Sequence, residues 1–180
     1  MYFAALLART DDGWQASDTE LDDVETLADL ADLARRAVGD EDTVLVCIEQ
    51  DGAWFGVVRV DGEDDPRVFV SDAAAAMRSA YGEILLSDEL LGREPEDLAA
   101  LEQLVDLDGT EDGEPESAHA DGTGDDDSAA EHVPAGPLGD AELLTDFGMD
   151  PAAVLSLTAE DALTEIADTL GCTDMLEAVR

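Results

Sequence analysis

The stretch that most constrains this chain is WFGVVRVDGEDDPRVFVSDAAAAMRSAYG, Trp54 to Gly82, in which two strand-like runs joined by an acidic turn lead directly into a helix. Trp54, Gly56, Val58 and Val60 alternate with Phe55, Val57 and Arg59, the period-two pattern of a strand. Both sets are largely apolar, so this strand is expected at the centre of a sheet covered on both sides. Arg59 is its anomaly, because a cation there must reach solvent, pair with a carboxylate or meet a partner. The run DGEDDP supplies turn residues, and Arg67 to Val70 forms the next strand. Ser71 or Asp72 offers an N-cap, and Ala73 to Ala76 has the highest helix propensity. Gly82 supplies a stop, with Met77 and Tyr81 on the inward stripe.

Upstream, Tyr2 to Ala8 and Trp14 to Ser17 are strands joined at Asp11-Asp12-Gly13. A helix follows, with Asp22 and Glu25 resembling a capping box and Val24, Leu27, Ala31, Ala34 and Val38 on one stripe, flanked by Leu30, Leu33 and Ala37. Arg35 and Arg36 suit its C-terminal dipole, with Asp32 as a local partner, and Gly39 ends it. Thr43 to Gln50 is an apolar central strand, and Asp51-Gly52 turns it into the Trp54 strand. Ile84 to Leu91 is open between strand and helix, and Pro95 to Val105 has a helical stripe. The expected fold class is α+β, an antiparallel sheet in ββαβββα order with helices packed on it, over residues 1–105.

From Asp106 to Pro137 there are eleven acidic residues and no lysine or arginine, amid Gly, Ser, Thr and Pro. Such a segment cannot bury enough apolar surface to offset its ordering entropy, so 106–137 is expected to be a disordered acidic linker. Residues 138–180 then carry a short helix before Gly148, a second opened by Asp150-Pro151, a third capped by Thr158 and closed at Gly171, and a last turn from Met175. Too little apolar surface lies there for an independent core, so this small helical segment is expected to dock onto the first domain or a partner.

The 180 residues include 8 basic and 47 acidic ones, a formal charge of −39, and every basic residue is arginine. Nucleic-acid affinity depends on basic residues displacing counterions, which argues against direct binding of tRNA or DNA. A lysine-poor genome or a saline habitat accounts for the acidity without invoking function. The opening MYFAALLA has no basic leader and reads as a strand, and no stretch has transmembrane character; with two cysteines, this points to a cytoplasmic protein with no membrane partner. Cys47 and Cys172 are expected to be packing residues.

Catalysis needs groups of tuned pKa within mutual reach, and outside the linker there is no histidine or lysine. His119 and His132 both fall in the linker. There is no GxGxxG, P-loop, GxSxG or CxxC, and neither half of the H-x-E and P-C-x-x-C pattern of zinc deaminases. No catalytic residue, metal site or cofactor is expected. Arg59 and Arg67, with Phe55 on the Arg59 face, are the candidate partner-binding residues.

The element order is similar to that of longin and roadblock-like domains, an analogy of fold alone. A closer resemblance lies in the Trp54 to Tyr81 block, the opening YFAALLARTDDGWQ, the acidic middle, and the late ELLTDFGM and EDALTEIADTLG segments. Together they resemble the actinobacterial tRNA adenosine deaminase-associated proteins, a family described by genes lying beside the enzyme that makes wobble inosine. The resemblance brings no catalytic residues. It implies a non-catalytic partner of that deaminase, whose tRNA-binding surface an acidic protein would complement. Two other readings stay open: a small-molecule enzyme using carboxylates with Arg59 or Arg67, and a self-associating structural domain without deaminase contact.

Overall fold

A computed structural model describes residues 2–38, 43–50, 52–87, 90–91, 133 and 135–179. Its strands are β1 (Tyr2–Thr10), β2 (Gly13–Asp18), β3 (Thr43–Gln50), β4 (Trp54–Asp61), β5 (Arg67–Val70) and the two-residue β6 (Leu138–Gly139). They form one antiparallel sheet in the order β2-β1-β3-β4-β5-β6. Helix α1 (Leu27–Val38) links β2 to β3, and α2 (Ala73–Ala76) and α3 (Ala80–Leu85) follow β5. The C-terminal part holds a 3-10 turn (Thr145–Phe147), α4 (Pro151–Ser156), α5 (Ala162–Leu170) and α6 (Thr173–Val179). The expected α+β class and antiparallel sheet are present, and β4 lies between β3 and β5 as its two apolar faces require.

Those faces build two cores. Ala4, Leu6, Val46, Ile48, Trp54 and Val58 face α1, α2 and α3, meeting Leu30, Ala34, Ala76 and Leu85. On the other side Leu7, Leu45, Cys47, Phe55, Val57 and Phe69 meet Leu144, Val154, Leu163, Ile166 and Leu176. The C-terminal helices therefore form the third layer of a helix-sheet-helix sandwich. Trp54, fully buried, directs its indole N–H to Gln50 Oε1 at 3.0 Å, so its one polar atom is satisfied.

Residues 135–137, which composition assigned to the linker, are described, and the Gly136 carbonyl accepts the Ala73 N–H at 2.8 Å. The chain is thus anchored two residues before β6 adds to the sheet edge. The expectations for Gly39, Asp51, the Pro95–Val105 helix, residues 106–132 and both histidines lie outside the described residues.

Several local expectations are corrected. The capping box of α1 is Thr26 and Asp29, not Asp22 and Glu25: Thr26 Oγ1 accepts the Asp29 N–H at 3.2 Å, and Asp29 Oδ2 accepts the Thr26 N–H at 3.0 Å. Leu21 and Val24 are buried ahead of the helix, and Ala37 is exposed. Arg35 reaches beyond Asp32 to the β4–β5 turn, donating to the Gly62 carbonyl at 2.8 Å and the Asp64 carbonyl at 3.0 Å. The helix expected over Ala141 to Phe147 is only a 3-10 turn at Thr145–Phe147, and α5 starts three residues after the position that Thr158 as N-cap implies. Asp150 does cap α4, accepting the Ala153 N–H at 3.0 Å, and Gly171 ends α5 with φ +75°.

The largest departure is at Gly82, which lies inside α3 instead of ending a helix. Of the two N-caps that the sequence offers, Ser71 and Asp72, it is Asp72 that caps α2, accepting the Ala75 N–H at 2.9 Å, but α2 stops after four residues. The chain turns at 77–79 so that α3 can bring Leu85 onto β4. Gly56 admits Leu85 there: a Cβ on Gly56 would lie 2.4 Å from Leu85 Cδ1. Gly82 permits the fold-back, since a Cβ at that position would lie 2.1 Å from the Ala76 carbonyl oxygen. Packing has overridden the propensity of the alanine run. Gly82→Ala is expected to lower unfolding free energy by about 1–3 kcal/mol, because backbone must move to admit the methyl group. Urea denaturation of the variant checks this, and unchanged stability would contradict the close approach.

Candidate functional site

The end of the sheet where β4 finishes and β5 starts gathers the charged residues that the sequence singles out. Arg59 lies on the same face of β4 as Phe55 and Val57, toward the C-terminal layer. Its guanidinium is enclosed: Nε donates to Asp61 Oδ2 at 2.7 Å, Nη1 to the Leu143 carbonyl at 2.7 Å and to Asp146 Oδ1, and Nη2 to Asp146 Oδ2 at 2.8 Å. The two bonds to Asp146 form the parallel fork that suits arginine and carboxylate. Phe147 closes the site, its ring centroid 4.5 Å from Arg59 Cζ. Trp14 meets that ring edge-on at 5.1 Å, and Arg9 approaches it at 5.9 Å.

Asp61 is shared. It accepts Thr43 Oγ1 at 2.6 Å besides Arg59, and Arg67 Nη2 lies 3.9 Å away. Arg67 also pairs with Asp140 at 3.3 Å, just after β6. Arg59 and Arg67 are cross-strand neighbours in register, so two like charges sit side by side and Asp61, Asp140 and Asp146 offset them.

This geometry decides what each candidate can present to a partner. Phe55 is 0% exposed in the second core, and Arg59 is 8% exposed with its donors engaged, so neither is offered at the surface. The solvated alternative for Arg59 is thereby corrected: the cation is retained because Asp61, Asp146 and a backbone carbonyl replace its water. Arg67, with 42% of its side chain exposed, is accessible and lines a cavity of about 380 Å³ together with Leu27, Pro66, Val68, Leu90 and Asp140. Sequence reasoning missed Asp146 and Phe147, which lie more than eighty positions from Arg59 with no local signal linking them. It could have found Asp61, two residues along the same strand face.

Titration behaviour follows the contacts. Burial tends to lower the pKa of Arg59, but hydrogen bonds to Asp146 and Asp61 outweigh it and hold the cation more firmly than usual. The same hydrogen bonds from Arg59 hold Asp146 below the ordinary carboxylate value. Burial pushes the Cys47 thiol up to about 12, with the neighbouring Cys172 adding to the effect, and burial also raises Cys172. The Tyr81 hydroxyl is raised to about 12, first by the neighbouring Tyr2 hydroxyl. Each shift runs away from neutrality, opposite to what a general acid, base or thiolate nucleophile needs near pH 7. Among the described residues, no group of three or more His, Cys, Asp or Glu is placed to hold a metal ion, and no helix is long and apolar enough to cross a membrane.

Two outcomes test the cluster. Arg59→Ala is expected to cost about 2–4 kcal/mol in urea denaturation, below the full cost of breaking a buried pair because the stranded carboxylates can hydrate, while Arg67→Ala stays within about 1 kcal/mol. Equal losses would contradict the difference in burial. Asp146, having a folded pKa below its ordinary 3.8, contributes stability fully above that value and loses it as pH falls through the folded pKa. The stability gap between wild type and Asp146→Asn should therefore be constant between about pH 5 and 7 and narrow only below about pH 4.

No curated protein and no solved structure matches this chain. The family model described as Rv3753c-like tRNA adenosine deaminase-associated protein matches residues 2–173, a span that includes the sheet, α1 to α3, the C-terminal layer through α5 and the Arg59 cluster. The chain belongs to the Rv3753c-like tRNA adenosine deaminase-associated protein family.

Proposed function

We propose that this protein is a non-catalytic cytoplasmic accessory of tRNA adenosine deaminase, acting through direct protein–protein contact. Family membership across nearly the whole chain is the observation that carries the reading. The charge adds a physical reason. An enzyme that binds tRNA needs a basic surface, and a protein of formal charge −39 complements that surface while repelling tRNA itself. It can therefore act as an electrostatic partner or compete with tRNA for the enzyme. The site chemistry supports an accessory role, because Arg59 is committed to Asp61, Asp146 and Leu143 and the buried thiols are held protonated.

Mixing this protein with the deaminase and a tRNA carrying adenosine at the wobble position tests the reading. Association should be rapid at low salt and weaken strongly as the Debye length shrinks from about 10 Å at 0.1 M to about 3 Å at 1 M. Alone, the protein should form no inosine, while its addition should change the enzyme's inosine yield. Failure to form a complex at low salt, with the same yield in both mixtures, would overturn direct association.

A further inference from the structure

The loop entering α1 and the outer side of α3 enclose a groove of about 390 Å³, lined by Leu21, Asp22, Val24, Glu25, Tyr81 and Ile84, with Ala80 at one end. Its floor is apolar and built in. Leu21 and Val24 are buried, and the Val24 N–H to Leu21 carbonyl bond at 3.0 Å fixes the turn that carries them. Tyr81 is held from behind by Tyr2, their ring centroids 3.9 Å apart. Ile84 and Tyr81 are half-buried, so apolar surface remains open to solvent, whereas Asp22 and Glu25 are exposed at the rim. The charged residues lining the groove are thus all acidic, unlike the Arg67 cavity, where Arg67 stands between Asp65 and Asp140.

That combination selects an occupant. An apolar floor of this volume favours a large apolar side chain, and the carboxylates favour flanking arginine or lysine while rejecting phosphate. We infer that this groove docks a basic segment of the deaminase, a large apolar side chain resting on the half-buried Tyr81 and Ile84, which Leu21 and Val24 support from below, with its flanking cations on Asp22 and Glu25. The inference rests on the accessory reading above and gives it a location away from the buried Arg59 and Phe55.

The test uses the full-length chain and the tRNA adenosine deaminase of the same genome, with affinity measured by titration calorimetry from low to high salt. The variants are Ile84→Gln, the double variant Asp22→Asn/Glu25→Gln, and a control of equal charge change, Asp11→Asn/Asp12→Asn, in the exposed β1–β2 turn. Both groove variants should weaken binding about tenfold or more, and the control should stay within about twofold. The rim variant should also flatten the salt dependence more than the control does. Thermal melts verify folding; should Ile84→Gln be destabilised, the rim variant, altered only at exposed side chains, decides the matter. A complex that forms with equal affinity for wild type and groove variants, or that all variants weaken alike, removes the groove and keeps the association. No complex with wild type at low salt overturns the association and the groove with it.

Discussion

A sheet whose central strands are apolar on both faces cannot leave either face in water, and that requirement organises the molecule. The first eighty-odd residues supply five of the six strands and one cover, α1 with α2 and α3. They leave Leu7, Leu45, Phe55, Val57 and Phe69 on the opposite face, and the helices after β6 complete that core. The C-terminal segment is therefore part of the folded unit through the hydrophobic effect. The backbone contributes direction, since β6 pairs with β5 and the Asp140 N–H bonds to the Val68 carbonyl at 2.8 Å.

Arg59 adds orientation to that non-directional attraction. Its fork to Asp146 and its bond to the Leu143 carbonyl define where the 3-10 turn sits over β4, which apolar contact alone would leave less sharply set. Desolvating a guanidinium is expensive, and the cost is offset by hydrogen-bond partners on both sides of the interface. The same cluster collects carboxylates from a strand end, the turn after β6 and the 3-10 turn. In a chain so strongly acidic, pairing these few arginines with acids removes local repulsion where three segments converge.

Charge and groove bear on function at different ranges. The overall negative field acts over the Debye length and sets which partners approach, without specifying a place of contact. Specificity requires a desolvated anchor surrounded by compatible charge, and the surface between α3 and the loop entering α1 combines half-buried Tyr81 and Ile84 with Asp22 and Glu25. The sequence singled out Arg59, Arg67 and Phe55, because cations in apolar strands and an aromatic beside one of them are conspicuous locally. The burial of Arg59 and Phe55 depends on a covering layer contributed some ninety residues later.

What the sequence determined by itself was the local order: strands from two-residue alternation, α1 from its stripe, a cap at Ser71 or Asp72 and another at Asp150, and the central place of β4 from its two apolar faces. These follow from interactions within a few positions along the chain, and so they are legible there. Tertiary structure alone decided that α2 stops after Ala76, that Gly82 continues a helix, and that Arg59 is buried. Each depends on an atom far along the chain or folded back from another element: Leu85 against Gly56, the Ala76 carbonyl against Gly82, Asp146 against Arg59. Propensity and alternation measure what a segment prefers when alone, whereas close packing and the desolvation of a charge are set by whichever surfaces the completed fold brings together.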